Sequence, residues 1–179
     1  MLLKILLLIS IHFCLYSNTL NFIINANPSR INPILATDSA SSTISDYIFQ
    51  GLVKYDTDLN IVGDLAKKFY FDNNTTLVFE LRDDVYFSDG TLFMADDVIY
   101  TYNLAISPKI FSPYSDVFKH IDYIEKVSDF KIKVFYKKAY FKALEIWMMG
   151  IMPKHIYSKE KDLMNSKLNK SPIGTGAYT

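Results

Sequence analysis

The sequence of 179 residues contains a single cysteine, Cys14, so no disulfide framework and no cysteine-ligated metal site can form downstream of it. Histidine is scarce too: His12, His120 and His155 are the only three, and no two stand at a metal-ligand spacing on one helix. Glycine and proline number 6 each, which excludes collagen-like and linker-like chains. Neither sign of charge is in excess. The 19 Lys+Arg balance 19 Asp+Glu, whereas a nucleic-acid binder is normally basic, so no nucleic-acid partner is implied. Apolar and aromatic side chains, by contrast, are plentiful. Half the residues are hydrophobic, with 13 Tyr, 13 Phe and 1 Trp, enough for a core or an apolar-walled pocket and too many for a disordered chain. The length allows one domain, or one domain with part of a second.

The first residues read as an export address. Lys4 precedes an apolar run from Ile5 to Leu15, interrupted by Ser10 and His12. That is the charge polarity and length of a signal-peptide core, and it falls short of the roughly 20 residues needed to span a bilayer. Cleavage near Ser17 makes residues 1–17 the signal peptide. Losing Lys4 with it leaves 18 basic residues against 19 acidic, net −1. Cys14 raises a second option, lipid attachment, but a lipobox has a small residue before its cysteine and Phe13 is large. The expected location is therefore periplasmic.

Periodicity over the remainder predicts a mixed α+β fold. Alternating Leu20, Phe22 and Ile24 predict a strand over 19–26, closed by Asn27-Pro28. A helix starts near Ser41 or Ser42, either of which can cap it, with Asp46 in its first turn and Ile44, Tyr47, Ile48 and Leu52 at helical spacing. Asp56-Thr57-Asp58 makes a turn between short strands, and 65–69 reads as a short helix or a loop. A half-buried strand covers 76–81, Ser88-Asp89-Gly90 turns, and 95–106 is helical with Asp96 and Asp97 in the first turn. Residues 109–117 read as loop. A hairpin joins 121–127 to 131–136, with Ile132, Val134 and Tyr136 on one face. Residues 141–149 read as a helix, 153–157 as a short turn or helix, and 160–170 as a polar, linker-like stretch. The chain ends at Ala177-Tyr178-Thr179, where a new element begins, so a truncated chain is expected.

Three groups of residues invite a chemical reading. Asp83, Asp84 and Asp89 resemble the carboxylates of a general acid–base pair, yet they stand in turn contexts where Asp bonds nearby backbone. Arg82 is placed to pair with Asp89 or Asp96. The hydroxyl-rich run from Thr37 to Ser45 precedes and enters a helix, a place that suits either capping or a polar ligand group. Trp147, Met148 and Met149 fit a core or an adaptable apolar pocket. No G-x-S-x-G motif occurs, and His120 and His155 have no evident partners in the sequence.

Beyond these, a set of short motifs runs in one order. They are Asn32-Pro33, residues 36–42 (A-T-D-S-A-S-S), residues 51–56 (G-L-V-K-Y-D), Asp64-Leu65-Ala66, and residues 79–82 (F-E-L-R). Then follow Val85-Tyr86-Phe87, Asp89-Gly90, residues 95–98 (A-D-D-V), residues 152–155 (M-P-K-H) and residues 172–176 (P-I-G-T-G). In this order they resemble the N-terminal part of the extracytoplasmic solute-binding proteins of ABC importers, the group that binds oligopeptides, dipeptides and nickel chelates. The resemblance runs from Leu20 to Thr179. Departures fall in turns and caps: Asp84 stands where the family has Gly, Gly63 and Ala177 where it has Pro, and Met94 where it has Thr.

The resemblance implies a periplasmic-binding-protein-like fold of the type II, peptide-binding class, here an N-terminal lobe fragment with an inserted small subdomain. Residues 18–51 would open lobe I, 52–170 form the subdomain and 171–179 return to lobe I, with the opposite lobe in sequence that follows. It implies a peptide or small-solute ligand, a membrane permease of an ABC importer as partner, no cofactor and no bond-breaking chemistry. It also implies that the loop before the first helix borders the ligand cleft, which singles out Asp38, Ser39 and Ala40, with Thr37 and Ser41 beside them. The alternatives are a secreted carboxylate-dependent hydrolase using Asp83, Asp84 and Asp89, and a non-transporting truncated remnant.

Overall fold

A computed structural model describes residues 23–178. The expected signal peptide, Cys14 and most of the strand over 19–26 lie outside the described residues, and 23–26 form no strand. The first regular element is helix α1, Ser39–Ile48, and its cap is Asp38 rather than Ser41 or Ser42. Starting three or four residues early puts Asp46 in the last turn instead of the first. Leu52 falls outside the helix, in the chain that leads to β1 (Val53–Tyr55).

β1 pairs with β2 (Ile61–Gly63) across the expected Asp56-Thr57-Asp58 turn, whose Asp56 carboxylate accepts from the Asp58 and Asn60 N–H groups at 2.9 and 2.8 Å. The main sheet is antiparallel, in the order β3 (Ala66–Asn73), β4 (Thr76–Leu81), β6 (Lys131–Tyr136), β5 (Ile121–Ser128). The predicted helix or loop over 65–69 is thus mainly edge strand. The hairpin of β5 and β6 is as expected, and Ile132, Val134 and Tyr136 of its second strand are buried together on one face. β4 lies between two partners, so Val78 is buried as well as Leu77 and Phe79, and the strand is covered on both faces rather than half-buried.

The buried face of the sheet is closed by α2 (Ala95–Ala105), the single turn α3 (Ser115–Phe118) and a 3-10 turn at Glu145–Met148. Trp147 is the hub, with its ring 5.6 Å from Phe79 and 5.7 Å from Phe118 in edge-on contacts. Its indole N–H donates to the Tyr136 hydroxyl at 3.0 Å, and that hydroxyl donates to the Ala143 carbonyl at 2.6 Å.

Two segments tie the far ends of the chain to this core. The buried carboxylate of Asp97 accepts from the N–H groups of Met94 (2.9 Å) and Lys154 (2.8 Å), joining α2 to the short helix α4, Lys154–Tyr157. Residues 160–170, read as a linker, instead form two 3-10 turns at Leu163–Asn165 and Lys167–Asn169. Buried Asn169 there accepts from Ile31 N–H at 2.9 Å through its carbonyl, and its amide donates to the Leu163 carbonyl at 2.8 Å. The last described stretch lies along α1. Gly176 N–H caps the Ile48 carbonyl at 2.7 Å, and a Cβ on Gly174 would stand 2.0 Å from that same oxygen, so only glycine permits the approach.

Candidate functional site

The hydroxyl-rich run is used in two ways. At its start, Asp38 is committed to capping. Its carboxylate accepts from Ser41 N–H at 2.8 Å, Ser41 Oγ at 2.7 Å and Ser29 Oγ at 2.6 Å. The hydroxyl of Ser29, then the N–H and hydroxyl of Ser41, hold its pKa down at about 2. Ser41 is fully buried, and its Oγ accepts in turn from Ser29 N–H at 2.8 Å. Thr37 and Ser39 are exposed and Ala40 is buried. Ser39 and Ala40 border a shallow hollow of about 240 Å³ with the stretch 23–26. The five candidates are therefore neighbours, but they do not line one cavity.

The larger opening lies one turn further on, at the flank of α1. A cavity of about 370 Å³ is walled by Ser42, Ser45 and Asp46 on one side and by Tyr114, Glu145 and Met148 among the residues opposite. Its floor is apolar and buried: Phe49, Ile146, Met149 and Gly150. Gly150 is required there, because a Cβ would stand 2.5 Å from Phe49 Cβ and 3.0 Å from Pro33 Cβ. Two backbone bonds fix the floor to the end of α1, Leu52 N–H to the Trp147 carbonyl and Ile151 N–H to the Gln50 carbonyl, both 2.8 Å. Met148 faces the cavity while Trp147 is core, so the Trp-Met-Met run divides between the two roles offered for it.

Charge is confined to the rim. Asp46, Lys142 and Glu145 stand there, and burial pushes the Asp46 carboxyl above its ordinary pKa. Burial, and then the Asp46 charge, raise the Tyr114 hydroxyl. An apolar floor under a few polar groups is the makeup of a small-molecule binding wall. The sequence carried a signal for Ser42 and Ser45 in the hydroxyl run. Tyr114 carried none, because it comes from a loop whose placement only the fold decides, and Lys142 lies in a stretch read as a helix that the fold makes into turns.

The carboxylates that suggested acid–base chemistry are kept apart. Arg82 chelates Asp84 at 2.9 and 3.1 Å, not Asp89 or Asp96 as expected, because the two are close in sequence and share an exposed edge. Asp83 faces Lys67 at 3.9 Å. Asp89 pairs with His155 Nε2 at 2.6 Å and accepts from Thr91 N–H at 3.0 Å. Burial pushes Asp89 up, and these contacts outweigh it and hold its pKa below the ordinary value. None of the three borders the cavity at the flank of α1. His120, also without an evident partner in the sequence, stacks on Tyr140 at 4.0 Å. Among the described residues no group of three or more His, Cys, Asp or Glu is placed to hold a metal ion, and no helix is long and apolar enough to cross a membrane.

The fold is that of an N-terminal lobe fragment of the periplasmic-binding-protein kind. Residues 60–179 match the family described as bacterial extracellular solute-binding proteins, family 5 middle, and the chain belongs to that family. The oligopeptide-binding protein AppA of Bacillus subtilis (strain 168) is 29% identical over 157 residues, 84% of this chain and 29% of AppA. The nickel-binding periplasmic protein of Escherichia coli (strain K12) is 27% identical over 158 residues, 85% of this chain and 29% of that protein. The crystal structure of NikZ from Campylobacter jejuni in complex with Ni(L-His) superposes with a TM-score of 0.80 at 30% identity, covering 87% of this chain and 31% of NikZ. That of AppA from Bacillus subtilis in complex with a nonapeptide gives 0.76 at 28%, covering 84% and 31%. The chain spans about 30% of the length of these relatives.

Proposed function

We propose that this chain supplies one wall of a solute-capturing cleft, in the substrate-binding component of an ABC-type importer. The solute is a peptide or a molecule of similar size, taken up outside the inner membrane and delivered to a membrane permease. The observation that carries this reading is the cavity at the flank of α1, apolar below and polar at the rim, in a chain of the solute-binding family. A cleft that buries most of its ligand needs two walls, and this chain spans about 30% of its relatives. The opposite wall then belongs to a second lobe that closes over the first about a hinge.

Within this reading, residues 1–17 direct export, 18–51 open lobe I, 52–170 form its inserted subdomain, and 171–179 return to it. The seating of Gly174 and Gly176 against the end of α1 supports the last assignment. Thr37 and Ser39, exposed before and at the helix start, contact solute at the cleft edge, while Asp38, Ala40 and Ser41 hold that edge in shape.

The test is calorimetric titration of the intact protein with mixed di- to pentapeptides and with nickel–histidine chelate. Saturable binding of one class, with the solute recovered unchanged, is the expected result. Failure to bind either class, or turnover of a peptide without any partner protein, would contradict the reading.

A further inference from the structure

The cavity rim carries an acidic group that the described residues leave unmatched. Elsewhere on the described surface many carboxylates have partners: Asp64 meets Lys54 at 3.0 Å and Gln50 at 2.8 Å, Glu80 meets Lys131 at 3.1 Å, and Asp96 meets Lys126 and, at 3.1 Å, Lys154. Asp46 has no ion pair or side-chain hydrogen bond among the described residues, although Lys54 and Lys142 both border hollows that it also borders. Lys142 is instead turned to the ring of Phe141, 5.6 Å from its centroid. Glu145 adds a second carboxylate to the same rim, so the cavity has two negative groups against one positive.

Asp46 also stands where three depressions meet. It lines the cavity at the flank of α1, a second hollow walled by Gln50 and Tyr55, and a third that reaches Thr175 and Tyr178. Tyr114 shares the first of these with it and feels its charge. A carboxylate without a partner, beside an aromatic ring and above an apolar floor, is suited to an ammonium or guanidinium group, which gains a charge-assisted hydrogen bond and contact with the ring face.

Resting on the solute-capture reading, we propose that the solute presents a positively charged amine or guanidinium group to Asp46, with Tyr114 beside it. The rival explanation is a basic residue of whatever closes over this wall. Peptide probes separate the two. Pentapeptides of alanine carrying a central Lys or Gln, each amidated at the carboxyl terminus and with a free or an acetylated amino terminus, are titrated calorimetrically at pH 7 into the intact protein and its D46N and D46E variants. The unaltered protein should prefer probes bearing a cation by about 10- to 100-fold. D46N should abolish that preference while leaving the fully neutral probe unaffected, and D46E should retain it. Equal weakening of neutral and cationic probes by D46N would mark a closure contact and overturn the proposal, as would the absence of any preference in the unaltered protein. If no probe binds the unaltered protein at all, the peptide reading of the cavity falls, and this inference with it.

Discussion

Tyr136→Phe removes one oxygen from the centre of the fold. That hydroxyl donates to the Ala143 carbonyl at 2.6 Å and accepts from the Trp147 indole N–H at 3.0 Å. Tyr136 is 5% exposed and Trp147 1%, so water cannot take either place without opening the core. Two buried hydrogen bonds are lost, each worth about 1 kcal/mol net, and a donor and an acceptor are left unpaired, for a total of about 2–4 kcal/mol. In a chain of this size each kcal/mol moves the melting midpoint by about 2–4 °C, so a fall of at least about 4 °C is expected. The assay is built in, because Trp147 is the only tryptophan and its emission reports on the site of the change. Thermal and urea unfolding followed by that emission should show the loss. Tyr123→Phe, on the half-exposed Tyr123 that stacks on Phe135 at 4.3 Å, should leave the stability within about 0.5 kcal/mol of the parent. A Tyr136→Phe protein as stable as that control, with unaltered emission, would refute the reasoning that Tyr136 fastens the Trp147 segment.

Two further outcomes follow from the local geometry. Leu59 holds a left-handed backbone (φ 63°) at 77% exposure, so Leu59→Asn should raise stability by about 0.5–1 kcal/mol in urea unfolding, with Leu59→Val lowering it. The carboxyl of Asp38 titrates at about 2 in the folded chain against an ordinary 3.8, so its stabilisation is complete above pH 4 and fades as pH falls towards 2. The Ser41 amide resonance should follow that titration, and in Asp38→Asn it should not move over the same range.

The sequence was informative wherever one side-chain pattern decided the outcome. β6 alternates cleanly between buried and part-exposed residues, and Asp96 and Asp97 announce the start of α2. It misled where backbone demands from elsewhere intervened. Residues 141–149 have helical spacing, but the carbonyl of Trp147 is claimed by Leu52 and Ile151 N–H bonds to Gln50, so only a 3-10 turn survives. β3 is an edge strand whose Lys67 and Lys68 face water, which erases the alternation that marks a strand. The start of α1 was displaced because several residues there are competent caps, and only the fold shows that Ser41 is buried beneath Asp38. The same limit applies to the site. Ser42 and Ser45 were legible as part of a hydroxyl run, whereas Tyr114 reaches the cavity from a loop with no periodic signature, and Lys142 and Glu145 from a stretch whose helical spacing pointed to the wrong element.

The account stands most directly on whether solute enters the cavity beside α1. Ser42→Phe fills that cavity from a partly exposed helical position whose side chain has no hydrogen bond to lose among the described residues. In the intact protein, calorimetry with a peptide that binds the parent should show affinity reduced by more than about tenfold, while the unfolding free energy stays within about 0.5 kcal/mol of the parent's. Unchanged affinity in a protein whose cavity is filled would place the solute elsewhere and contradict the account.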